Sequence, residues 1–174
     1  DPIAGGLFAV PHKELYDRVI YDRRPYNALE RSLPKDWVQL PQGAQLADGL
    51  LREDEAWRGS GQDLECYFYV IKHHPDQVRH GLVGRVHDGT DFADFGGVPG
   101  SRCMVGFLVP GMGDRNSTGI AQALHEAVLD NAGASPPGAR VVYGRPLPRG
   151  PLWEFVYVDD RHLVLRMPKW KLRE

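Results

Sequence analysis

The chain has 174 residues, 42% of them apolar and 25% charged, with a formal net charge of −2 and a pI near 6.4. That is enough for one substantial domain or two small lobes sharing a core, and it excludes intrinsic disorder. No apolar run could span a bilayer, no leader-type segment opens the sequence, and the mildly acidic balance does not announce a nucleic-acid binder. The expectation is a soluble chain of the nucleus or cytoplasm with no membrane partner. Because it starts at Asp1-Pro2 without a Met, it also reads as a piece of something longer.

In chain order, Leu7-Phe8-Ala9-Val10 and Arg18-Val19-Ile20-Tyr21 predict a β-hairpin around a polar loop that carries Lys13. Asp22-Arg23-Arg24-Pro25-Tyr26-Asn27 is too polar for a buried strand and is broken by proline, which predicts a functional loop or solvated turn. Leu46, Leu50, Leu51 and Trp57 fall near helical spacing, and Gly59-Ser60-Gly61 closes that predicted helix. Asp63 then opens an apolar run to Ile71, read as a strand or a strand-to-helix junction. Charge is uneven here: residues 41 to 68 hold six acids and two bases, whereas the tail carries Arg166, Lys169, Lys171 and Arg173.

Runs at 82–86 and 104–109 predict two further strands joined by a Gly- and Asp-rich loop. His73, His74, His80 and His87 have no paired helical spacing, and Cys66 and Cys103 have no Cys-x-x-Cys spacing, so solvated or core histidines and reduced thiols are expected. After the loop at 110–117, Asn116 or Ser117 can cap a helix with an apolar stripe of Ile120, Leu124, Ala127 and Val128, and Gly133 sits beyond its end. Residues 131–151 read as a Gly- and Pro-rich loop with a small edge strand at Val141-Val142-Tyr143.

The chain ends in its most informative stretch, Leu152 to Leu165. Two runs rich in Val, Leu, Phe and Tyr flank Asp159-Asp160, predicting a hairpin with an acidic bend. Asp is an ordinary turn former. Two adjacent carboxylates between buried strands nevertheless repel unless a cation neutralises them, and Mg²⁺ suits one or two carboxylates plus phosphates. The tip therefore suggests phosphoryl transfer and asks for a third acid, for which Asp63 is the candidate. The order of elements predicts an α+β fold, an antiparallel sheet with helices packed on one face.

These pieces together resemble one family. Tyr157-Val158-Asp159-Asp160 is similar to the Tyr-x-Asp-Asp motif of reverse transcriptases, and Asp63-Leu64-x-x-x-Phe68 resembles the family's first acidic motif. Arg18, Asp22, Arg24 and Asn27 stand at the intervals of the fingers motif of retroelement enzymes. Val109-Pro110-Gly111-Met112-Gly113 is similar to the Leu-Pro-Gln-Gly segment, but with one extra residue and Met112 where glutamine is usual. The four motifs occur in family order over nearly the whole chain.

The resemblance implies an RNA-directed DNA polymerase, a nucleotidyltransferase of retrotransposon type built as the fingers and palm of a polymerase right hand. Fingers would span 1–32 and 71–116 and palm 33–70 and 117–174, with the thumb absent. It implies Asp63 and Asp159 as ligands of two Mg²⁺ ions (Mn²⁺ possible), Asp160 in support and the Leu64 carbonyl as a further ligand. Lys13, Arg18, Phe68, Met112 and Gly113 would line the nucleotide site, Phe68 selecting deoxynucleotides. Asp22, Arg24 and Asn27 would shape the fingers turn. The partners would be a dNTP and an RNA or DNA template with its primer. Two other readings remain open: a catalytically inactive relic kept as a nucleic-acid or protein interaction module, and an RNA-dependent RNA polymerase.

Overall fold

The computed structural model describes residues 3–34 and 39–173, the side chains of His12, Lys13 and Arg173 excepted. It is a mixed α/β fold with few helices and three separate antiparallel sheets rather than the single sheet expected from the element order. The chain divides into two compact units, Asp1–Ser32 with Phe68–Ser117 and Leu33–Tyr67 with Thr118–Glu174.

In the first unit, β1 (Gly6–Lys13) and β2 (Tyr16–Asp22) form a ribbon, and β4 (Leu82–Asp88) and β5 (Arg102–Gly106) form a second. The loop expected around residues 11–17 is instead strand almost throughout, because Pro11 pairs with Asp17 and only a register shift between Pro11 and Lys13 marks the irregularity. A two-stranded ribbon consists of edges alone, which is where a proline is tolerated. Gly5 joins the ribbons: its N–H donates to the Leu82 carbonyl (2.9 Å) and its carbonyl accepts from the Gly84 N–H (3.0 Å).

The segment after β2 is not a loop but a one-turn helix, α1 (Arg24–Asn27), with Pro25 in its first turn. Proline lacks an N–H, and the first turn of a helix does not need one. Just before it, Arg23 is buried. Its guanidinium bonds the Asp114 carboxylate and the His80 carbonyl and lies 4.6 Å from the centroid of the Tyr26 ring.

The second unit is built on a three-stranded sheet of order β3-β7-β6, from β3 (Glu55–Asp63), β6 (Leu152–Tyr157) and β7 (Asp160–Pro168). The helix expected over Leu46 to Trp57 is absent. Residues Gly43–Asp48 make a 3₁₀ turn, and Trp57 through Gly61 lie in β3, paired with β7 along its full length from Glu55↔Pro168 to Asp63↔Asp160. Consequently Asp63 ends its strand rather than opening one, and the short helix α2 (Tyr67–Val70) follows.

Both faces of β6 are covered, as its near-continuous apolar run requires. On one face Trp153 and Phe155 join Val141, Leu46, Trp57, Leu147 and Val164 in the core, with the Trp57 and Trp153 rings 4.7 Å apart. A Cβ on Gly49 would stand 2.7 Å from the Trp153 ring, so only glycine fits beneath the two indoles. On the other face Glu154 is fully buried, taking Arg161 at 2.7 Å, Ser135 at 2.7 Å and Arg140 at 3.3 Å, so the charge is paired as burial demands.

The helix expected after the 110–117 loop is α3 (Ser117–Asn131), and Gly133 (φ 63°) terminates it. The Ser117 hydroxyl does not cap by accepting. It donates to the Gly111 and Asp114 carbonyls at 2.8 and 3.1 Å, fastening the loop before the helix. The expected edge strand is a single parallel bridge, Arg140↔Glu154.

Candidate functional site

In the second unit, Asp63 and the adjacent pair Asp159-Asp160 lie at the same end of the sheet. Chain reversal between β6 and β7 takes two residues, Val158 and Asp159, so Asp160 is the first residue of β7 and stands opposite Asp63. Directly opposed residues of an antiparallel pair project to the same face. The Leu64 N–H donates to the Asp159 carbonyl at 3.1 Å, tying the end of β3 to the tip itself. None of the three carboxylates forms an ion pair among the described residues. Asp159 acts instead on Tyr67: burial first, and then this carboxylate, hold the Tyr67 phenol above its ordinary range.

The tip is strained. Val158 has φ 57°, in the left-handed region where a β-branched residue clashes with its own backbone. Cys66, three residues beyond Asp63, has the same φ. Among the described residues these two are the non-glycine residues with positive φ, and each lies within three positions of a candidate acid. Such outliers persist only where the surroundings over-determine them.

Those surroundings come from α3. Val158 N–H donates to Gln122 Oε1 at 2.7 Å, Gln122 Nε2 donates to the Val156 carbonyl at 2.8 Å, and His125 Nδ1 lies 2.8 Å from the Val158 carbonyl. A carbonyl only accepts, which assigns the proton to His125 Nδ1. Tyr67 closes the same side, its hydroxyl donating to the Ala121 carbonyl at 2.9 Å and its ring 5.8 Å from that of His125. Sequence reading missed Gln122 and His125. Helical spacing puts them on one face with Ala121 and Leu129, but nothing in the sequence says which backbone that face meets.

As a donor set, carboxylates and a backbone carbonyl suit Mg²⁺ or Mn²⁺ in kind. In number they fall short: among the described residues no group of three or more His, Cys, Asp or Glu side chains is arranged to hold a metal ion. On the sheet face, Tyr157, Asp160 and His162 border a cavity of about 440 Å³ that also touches Gly59, Gly61 and Phe155.

A second cavity, about 540 Å³, lies wholly in the first unit. It brings together four residues singled out by sequence: Arg18 on β2, Phe68 on α2, and Met112 and Gly113 in the loop after β5. Tyr21, Tyr69, Phe107 and Val109 complete a largely apolar wall that sequence reading did not assign. Lys13 ends β1, and its side chain lies outside the described residues. The remaining fingers residues separate by environment. Asp22 binds Arg24 at 2.6 Å on the surface, whereas Asn27 donates to the Gly113 carbonyl at 2.8 Å and accepts from the Arg115 N–H at 3.0 Å. Together with Arg23, which holds Asp114, Asn27 fixes the loop that lines the cavity.

No family model matches the sequence, and no curated protein matches it either. Among solved structures, the fold is similar to that of a foamy viral protease-reverse transcriptase solved in complex with double-stranded DNA. The TM-score is 0.56 and the identity 17%, over 98% of this chain. The likeness is one of fold. The chain spans 23% of that neighbour's length. No helix of the described residues is long and apolar enough to cross a membrane.

Proposed function

We propose that the chain is the fingers and palm portion of an RNA-directed DNA polymerase. One observation carries this reading: β3 and the β6–β7 hairpin, nearly a hundred residues apart, bring Asp63, Asp159 and Asp160 to one sheet end, where none of the three carboxylates is ion-paired among the described residues. Unneutralised carboxylates at a strained tip are the arrangement expected where a divalent ion is to be held. Asp63 and Asp159 would hold Mg²⁺, with Asp160 and the Leu64 carbonyl as further oxygen donors. When bound, the ions supply charge neutralisation at the phosphate and a primer 3′-hydroxyl that loses its proton more readily.

In the first unit the planar fork of the Arg18 guanidinium is suited to pairing with oxygens of a triphosphate. Phe68 offers an apolar wall to a sugar and leaves no acceptor for a 2′-hydroxyl, which favours deoxynucleotides over ribonucleotides. Met112 has no amide with which to hydrogen-bond a nucleotide, so this contact would be apolar, and Gly113 lets backbone come close. The Phe68 wall is also what sets the reading apart from an RNA-dependent RNA polymerase.

Primer extension on an RNA template with Mg²⁺ and dNTPs is the test. Extension should be lost in Asp63→Asn and Asp159→Asn and should favour dNTPs over NTPs, with Phe68→Ala narrowing that preference. Extension that survives Asp159→Asn would sink the assignment. A noncatalytic relic is the second reading, favoured by the absence of a gathered three-ligand cluster among the described residues. It holds if the chain neither extends a primer nor binds Mn²⁺ in a manner that depends on Asp63 and Asp159.

A further inference from the structure

We propose that Gln122 and His125 of α3 are positioning residues that set where the Asp159 carboxylate stands. This rests on reading the acidic tip as a divalent-cation site. Both side chains are polar and almost fully buried, at 1% and 5% exposure. Their bonds go to three backbone groups of one three-residue stretch, the Val156 carbonyl, the Val158 N–H and the Val158 carbonyl. None of these bonds is needed to pair β6 with β7, whose ladder already runs from Leu152↔Leu165 to Tyr157↔Asp160.

What the three bonds do is hold Val158 in a conformation that valine avoids. Released from them, Val158 is free to return to negative φ, and that rotation turns the next peptide and reorients Asp159. The Asp159 carbonyl is held from the other side by Leu64 N–H, one residue after Asp63. Asp159 is thereby fixed between α3 and the end of β3. Neither Gln122 nor His125 reaches a cation or substrate in this role, and both act through the backbone. Supporting groups of this kind commonly govern the affinity of the ligands they orient.

The test is Mn²⁺ binding by the purified 174-residue chain, read as loss of the free-ion electron paramagnetic resonance signal. Val158 amide exchange and the Asp159 carboxyl-carbon NMR shift are measured beside it, below the melting temperature of each variant. H125L and Q122M should stay folded yet bind Mn²⁺ about tenfold more weakly, with faster Val158 exchange in Q122M. H125N, whose amide nitrogen can occupy the place of Nδ1, should restore affinity to within about threefold of wild type. Should H125L not fold, H125Q replaces it, because its amide falls at the Nε2 position and leaves the carbonyl unpartnered.

A folded H125L or H125Q that binds Mn²⁺ as wild type does would overturn the positioning role. Absence of any binding that D159N removes would overturn the cation reading instead. In that case the Asp159 shift decides alone: unchanged in the His125 variants, it overturns positioning, and changed, it upholds it.

Discussion

Arg23 and Arg24 are neighbours in sequence and opposites in environment. Arg24 is 87% exposed and pairs with Asp22, whereas the Arg23 side chain is 7% exposed against an Asp114 at 9%. Removing Arg23 leaves a buried carboxylate uncompensated, so Arg23→Met should cost about 3 kcal/mol or more in denaturant unfolding. Arg24→Met should leave the unfolding midpoint almost unchanged, because a solvent-screened pair contributes little. The Arg24 side-chain hydrogen bonds hold Asp22 down to about 2, from an ordinary 3.8. The sign follows: the folded value is depressed, so the Asp22 contribution is complete above the ordinary value and is lost as pH falls from about 4 towards about 2. NMR titration should find that low midpoint, and Arg24→Gln should return it to the usual carboxylate range. The run Asp-Arg-Arg gave sequence reading its fingers motif but could not say which arginine is inside. That depends on Asp114, 91 positions away.

Val158 gives the hairpin element an unusual mutational profile. It is 7% exposed, so shortening it forfeits packing, yet its φ of 57° penalises every residue with a Cβ. Val158→Ala loses the packing and keeps the strain. Val158→Gly loses slightly more packing but regains about 1–2 kcal/mol of backbone energy. Glycine should therefore be the less destabilising of the two by about 1 kcal/mol, an inversion of the usual order that paired melts can check. The acidic hairpin itself was legible from runs rich in Val, Phe, Tyr and Leu around two aspartates, because both its strands carry strong local preference.

β3 was not legible. Glu55-Ala56-Trp57-Arg58-Gly59-Ser60-Gly61-Gln62 has little intrinsic strand preference, and Leu46, Leu50, Leu51 and Trp57 imitate a helix. The strand exists because β7 offers it nine consecutive partners, and pairing of that kind overrides local propensity. The candidate acids were legible as residue types, while the register that sets Asp63 opposite Asp160 rather than Asp159 was not. Nor were Gln122 and His125, whose partners are backbone groups and leave no trace in side-chain pattern.

At the scale of the whole molecule, charge is not segregated between the units. Ten bases meet ten acids in the first, and eleven meet thirteen in the second. If the chain binds a primer and template, few phosphates can be neutralised at once. Affinity measured by fluorescence anisotropy should then fall with salt on a double-logarithmic slope of about −3, whereas a slope near −8 would show a basic face hidden by the overall balance. Of the fold, its mixed character and antiparallel pairing were legible, while its division into three sheets was not, because that depends on which strands find partners across the chain.

The second unit is discontinuous, its first part ending at Tyr67 and its second resuming at Thr118. During translation β3 therefore leaves the ribosome roughly a hundred residues ahead of its partner β7, a wait of about 5 to 20 seconds at ordinary elongation rates. For that interval its backbone donors and acceptors stand open to any passing edge, including that of another nascent copy. Gly59 and Gly61, which weaken the strand on its own, also make it a poor template for such errors, so the feature that hid β3 from sequence reading guards it while it is being made.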